Sequence, residues 1–184
     1  RPELLCDCLT DLMLLTRATT VAEAADLLRR MPGSGPPNSG IATVLCDRAG
    51  RIVTAEYTGS DLAVADAEVA IVANRFRSAA LSPLNRGGDG VSDVLANSDA
   101  RIASAETWAA AAPPSTARLR RLLRSRTGTG AWCRSAVPPD IGWTSASYCI
   151  DLARGTMDCW NGIAPHRPPR RTLELAALFG AEFG

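Results

Sequence analysis

The amino-acid sequence predicts an α+β fold in which helices pack on an antiparallel sheet. Three observations lead there: apolar residues recur at three and four near the start, two β-rich segments each double back through a turn, and a short amphipathic helix closes the chain. The order of elements reads helix pair, hairpin, strand, helices, hairpin, tail helix, and a single domain over residues 1–184 is expected.

Leu5, Cys8, Leu9, Leu12 and Leu15 share one helical face, so the chain is expected to be helical from Leu5. Thr20 followed by Glu23 is a capping-box pattern for a second helix. Its stripe is Val21, Ala24, Ala25 and Leu28, with Arg29 and Arg30 suiting the C-terminal dipole before Pro32 and Gly33. Residues 32–40 read as a loop. Ile41 to Cys46, the turn at Asp47 to Gly50, and Arg51 to Tyr57 form an expected hairpin whose first strand, apolar on both faces, should be buried. A further strand is expected at Val69 to Ala73, then a polar, glycine-rich rim from Ser78 to Ser98. Arg101 to Ala112 and Ser115 to Arg124 read as helices divided by Pro113 and Pro114. Thr144 to Ile150 and Thr156 to Trp160 flank a turn as a second hairpin, and Leu173 to Phe179 is the tail helix.

With 184 residues the chain is long enough to bury roughly 70% of its unfolded surface without disulfides or metals. Hydrophobic residues make up 46% and charged residues 21%, values of a globular protein. The formal net charge of +1 gives no long-range field toward nucleic acid or acidic membranes, so neither is expected as a partner. The absence of lysine, beside abundant alanine, suits the coding bias of a GC-rich bacterial genome. No apolar run reaches the ~20 residues of a membrane span and no signal peptide opens the sequence, so a soluble, cytoplasmic protein is expected. Six cysteines without CxxC spacing and the single His166 argue against a zinc site, and no metal or cofactor is expected.

Several residues invite a chemical role. Cys6 and Cys8 lie two apart on a helix and do not face each other, so core packing is the expected role. His166, in His166-Arg167-Pro168-Pro169, reads as a surface residue rather than a general base. Arg118, Arg120, Arg121, Arg124 and Arg126 are the densest basic run. A solvated face fits them better than a phosphate groove, because no aromatic residues alternate with them to stack bases. Asn74 and Arg75 end the expected strand and open onto the rim. An Asn amide there is able either to donate to an oxyanion or simply to cap a turn.

Five segments carry a resemblance. They are Thr20-Val21-Ala22-Glu23-Ala24, Gly50-Arg51-Ile52-Val53-Thr54-Ala55-Glu56, Val72-Ala73-Asn74-Arg75-Phe76, Cys133-Arg134, and Thr144-Ser145-Ala146-Ser147-Tyr148-Cys149-Ile150-Asp151. In order and spacing the chain resembles the C-terminal part of the isopenicillin N acyltransferase family of N-terminal-nucleophile (Ntn) hydrolases. The resemblance implies an αββα sandwich, completed by an N-terminal segment or partner chain. It implies amide hydrolysis or acyl transfer on a small metabolite through an acyl-cysteine intermediate. It assigns Asn74 to the oxyanion hole, and Arg75, Arg134 and Trp143 are expected to bind substrate. Ala73 and Arg75 stand where the family has Thr and His, and Ile141 falls where the penicillin enzyme has an Arg. Because Arg1 is residue one, the resemblance further implies that the nucleophilic Cys lies on a separate segment or chain. These residues alone are then expected to be inert. The alternative expectation is a non-catalytic binding or scaffold protein of the same fold, with a ligand cleft near Asn74, Arg75 and Trp143.

Overall fold

A computed structural model describes residues 7–31, 40–85, 91–113, 115–125, 132, 146–161, 169 and 171–179. It is α+β and contains two antiparallel sheets of three strands each. The chain divides into two compact units, Arg1–Ile102 and Ala103–Gly184.

The first unit begins with α1 (Asp7–Arg17) and α2 (Val21–Arg30). Thr20 caps α2 as its sequence predicts: its hydroxyl accepts from Glu23 N–H at 3.2 Å while the Glu23 carboxylate accepts from Thr20 N–H at 3.2 Å. Thr19 N–H also donates to that carboxylate at 2.7 Å, and this donation is the first cause holding Glu23 below the usual carboxylate range. The expected stripe Val21, Ala24, Ala25 and Leu28 is buried. The helix α1 differs from expectation. Leu12 and Leu15 are exposed, and Thr10 and Leu14 face inward instead. A helix this leucine-rich offers two apolar stripes, and packing against α2 selects the one that places Leu14 beside Ala24 and Leu28.

The sheet of this unit runs β1 (Ile41–Cys46), β2 (Ile52–Tyr57), β3 (Leu62–Asp66), with β2 central. Pairing runs from Ile41↔Tyr57 to Cys46↔Ile52 and from Tyr57↔Leu62 to Val53↔Asp66. Gly50, at φ 83°, supplies the left-handed turn residue of the first hairpin. Asp47 joins this turn to α2: its carboxylate accepts from Arg51 N–H at 3.0 Å and from Val21 N–H at 3.1 Å. Two expectations fail here. The first strand is an edge with Val44 and Cys46 exposed, and it is β2 that is buried, through Val53, Ala55, Glu56 and Tyr57. The strand expected at Val69 to Ala73 does not form. Both edges of β2 are taken by β1 and β3, so Val69–Ala73 finds no ladder there and only an isolated bridge, Ala73↔Arg75, closes it.

Beyond a short 3-10 turn at Ser82–Leu84, α3 (Val91–Ala111) starts ten residues before the expected Arg101. Ser and Asp made this stretch read as loop. In the helix, Ser98 instead returns its hydroxyl to the Val94 carbonyl at 2.8 Å and lies fully buried.

In the second unit α4 (Thr116–Leu123) is capped by Ser115, whose hydroxyl accepts from Arg118 N–H at 3.3 Å. The strands β4 (Ala146–Asp151) and β5 (Thr156–Asn161) form the expected hairpin, and β6 (Arg171–Glu174) adds a third strand, paired Met157↔Leu173, before α5 (Leu175–Phe179). The tail was expected to be wholly helical from Leu173. Pairing with the free edge of β5 keeps Leu173 and Glu174 extended. One face of this sheet, with Cys149, Asp158 and Trp160, is buried, and α4 packs beside β4. On the other face Tyr148 and Ile150 are exposed.

Candidate functional site

The segment that follows β3 presents Asn74. Arg75 N–H donates to the Ala73 carbonyl at 2.7 Å, an i+2 to i bond that places Asn74 at the apex of a γ-turn. No described non-glycine residue has positive φ, so this is the unstrained inverse form. The turn, rather than the expected strand, positions Asn74.

Three devices hold the turn. Phe76 N–H donates to Asn85 Oδ1 at 2.9 Å and the Asn85 Nδ2 donates back to the Phe76 carbonyl at 2.7 Å, so one side-chain amide satisfies both backbone groups as a neighbouring strand would. The Glu56 carboxylate, buried in β2, accepts from Arg77 N–H at 2.5 Å and Ser78 N–H at 2.9 Å. Finally the Phe76 ring lies directly over Gly40, where a Cβ would also come within 2.7 Å of the Tyr57 carbonyl oxygen.

The side chain of Asn74 is exposed, and its Oδ1 accepts from Arg101 Nη2 of α3 at 2.7 Å. Arg101 Nη2 also lies 3.3 Å from Ser98 Oγ. Arg75 is ion-paired with Asp99, again on α3. The side chains of Arg75, Asp99 and Arg101 thus gather at the turn, beside the Glu56 carboxylate beneath it. Among the described residues no acceptor meets the Asn74 Nδ2.

No family model, curated protein or solved structure matches this chain.

Of the expected site residues, Asn74 and Arg75 are consecutive on the γ-turn, while Arg134 and Trp143 lie outside the described residues, as do Cys6, Cys133, His166 and the side chain of Cys8. Sequence reasoning missed Ser98, Asp99, Arg101, Glu56 and Asn85. Only Glu56 left a signal, a carboxylate in the middle of a run of β-formers, which a buried strand tolerates only with partners.

Neither Cys46 nor Cys149 is set up as an activated nucleophile. Burial pushes the Cys149 thiol up, against an opposing pull from the Arg120 guanidinium, and burial likewise raises Cys46. Among the described residues no three His, Cys, Asp or Glu side chains gather as a metal site, and no helix is long and apolar enough to cross a membrane.

The arginines of α4 were expected to form a solvated face, and two of them do not. Arg118 donates to the carbonyls of Trp108, Ala112 and Pro113, the last at 2.8 Å, and its guanidinium carbon stands 4.9 Å from the Trp108 ring centroid. It staples the end of α3 to α4. Arg120 pairs with the buried Asp158, which also accepts from the Thr172 hydroxyl at 2.7 Å. Arg121 and Arg124 are exposed.

Proposed function

We propose that this chain is part of an amide hydrolase or acyltransferase of the Ntn type. In this reading it acts on a small metabolite through an acyl-cysteine intermediate, with the nucleophilic Cys carried on a separate segment or chain. The observation that carries the reading is the state of Asn74. Its amide is exposed, its oxygen is occupied by Arg101, and among the described residues its N–H groups meet no acceptor, which leaves them placed for an oxygen that becomes anionic only during attack. The raised thiols of Cys46 and Cys149 fit a nucleophile located elsewhere.

An αββα sandwich is the fold proposed for this activity. In its support, α2 packs on the first sheet with α1 against it, α4 packs on the second, and the second sheet has an exposed apolar face bearing Tyr148 and Ile150, as a layer awaiting a further sheet would. The competing reading, a ligand-binding protein without chemistry, draws on the same raised thiols.

The two are separated by mass spectrometry of the complete assembly, including the segment or chain that carries the nucleophile, quenched in acid after incubation with a panel of N-acyl p-nitroanilides. The proposal expects p-nitroaniline release and a covalent acyl adduct on a cysteine, removable by hydroxylamine. Binding of the probes with neither release nor adduct would leave the non-catalytic reading standing and overturn this one.

A further inference from the structure

We infer that Arg101 is a positioning residue which fixes the direction in which the Asn74 amide points. The inference deepens the oxyanion reading of Asn74, and its function arm rests on that reading. An asparagine side chain is nearly symmetric in shape, so an exposed one is able to present either its oxygen or its nitrogen to a ligand. Only the nitrogen stabilises an oxyanion. A guanidinium removes the ambiguity, because it has donors and no acceptor. The atom of Asn74 that lies 2.7 Å from Arg101 Nη2 must be oxygen, and the NH2 group is thereby turned the other way. The bond is charge-assisted, which makes it roughly twice as strong as a neutral one and draws electron density toward Oδ1, sharpening Nδ2 as a donor.

The remainder of α3 supports this role. Ser98, one turn before Arg101, places its hydroxyl oxygen 3.3 Å from the same Nη2 and is itself fixed by the Val94 carbonyl. Asp99 holds Arg75, the neighbour of Asn74, by an ion pair. Residues 98, 99 and 101 of one helix therefore hold the side chains of Asn74 and of its neighbour Arg75. A helix is a rigid support for this task, whereas the γ-turn alone constrains only backbone.

The test compares Arg101→Lys, Arg101→Met and Arg101→Glu in the complete assembly, with the segment or chain that carries the nucleophile, by NMR of the Asn74 side-chain amide and by turnover of N-acyl p-nitroanilides. Lysine keeps a donor, methionine leaves the amide free, and glutamate, which only accepts, pulls the NH2 group toward itself and turns the oxygen outward. The Asn74 Nδ2 resonances should therefore stay near the wild-type position in the lysine variant, show faster NH2 rotation in the methionine variant and move furthest in the glutamate variant. The rate constant kcat should fall in the same order with KM nearly constant, the glutamate variant losing about 10²-fold to 10³-fold, as much as removal of the donor itself. Wild-type Asn74 resonances in folded methionine and glutamate variants would overturn the inference. If the glutamate variant does not fold, the lysine and methionine pair decides. If Asn74→Ala abolishes turnover while the Arg101 variants do not lower it, the inference fails and the oxyanion reading stands. If the resonances move as expected while Asn74→Ala keeps full turnover, the orientation stands and the oxyanion reading fails.

Discussion

Replacing Glu56, the penultimate residue of β2, by Gln removes one charge and leaves the volume almost unchanged. In the native protein the two carboxylate oxygens each accept one backbone N–H, from Arg77 and from Ser78. The amide of Gln keeps one acceptor and turns its NH2 group toward the second N–H, so one charge-assisted bond is lost and the other becomes neutral. A hydrogen bond to a charged group contributes about 1.5–3 kcal/mol and a neutral one about 1 kcal/mol. The expected local destabilisation is therefore about 3 kcal/mol, or about 10²-fold in the population of the opened segment. Because Glu56 holds residues just after Asn74, the opening is local rather than global. Hydrogen exchange reads it directly: the Arg77 and Ser78 amides should exchange about 10²-fold faster in Glu56→Gln, while the amide of the fully buried Val53 changes far less. Wild-type exchange at both amides would refute the clamp, and with it the reason Asn74 stays in place.

Three further perturbations follow from the same geometry. Gly40→Ala drives a methyl group into the Phe76 ring and toward the Tyr57 carbonyl, which is fixed by strand pairing, so thermal denaturation should show a loss of about 1–3 kcal/mol. Asp158→Ala leaves Arg120 and the Thr172 hydroxyl without their carboxylate and should cost about 2–3 kcal/mol in urea, less than a fully buried pair because Arg120 reaches water. Asp158→Leu combined with Arg120→Met should recover much of that loss. Asp47 is held below its ordinary carboxylate value, first by the Val21 N–H and then, against burial, by the Arg51 and Ala49 N–H groups. Its contribution is thus fully present above the unfolded value of about 3.9 and is lost as pH falls through the lower folded one. Urea midpoints should drop on acidification below about pH 4 in the wild type, and less steeply in Asp47→Asn.

Local chemistry made part of this fold legible. Thr20 and Glu23 mark the start of α2, and Asp47 with Gly50 marks the first hairpin, because caps and turns depend on residues within a few positions of each other. What required distant partners was not legible. The strand β3 is built from Leu62, two alanines, Val64 and Asp66, a weak strand sequence that exists through its ladder to β2. The two leucine stripes of α1 are equivalent until α2 packs on one of them. Asn74 stood out by following an apolar run, yet the residues that give its amide a direction come from α3, and Arg101 is 27 positions away. Likewise the arginines of α4 look alike in sequence, and only Trp108 and Asp158 distinguish Arg118 and Arg120 from their exposed neighbours.

Whether the Asn74 amide serves a developing oxyanion is decided by single-turnover acylation of the complete assembly, with the segment or chain that carries the nucleophile, by an N-acyl p-nitroanilide, comparing wild type with Asn74→Ala and Asn74→Asp. The alanine variant should lose about 10²-fold to 10³-fold in the acylation rate with substrate binding nearly unchanged. The aspartate variant should be slower still, because a carboxylate repels the charge that the amide would have received. Wild-type acylation rates in both variants, with fold intact, would contradict the account and leave Asn74 as the apex of a turn and nothing more.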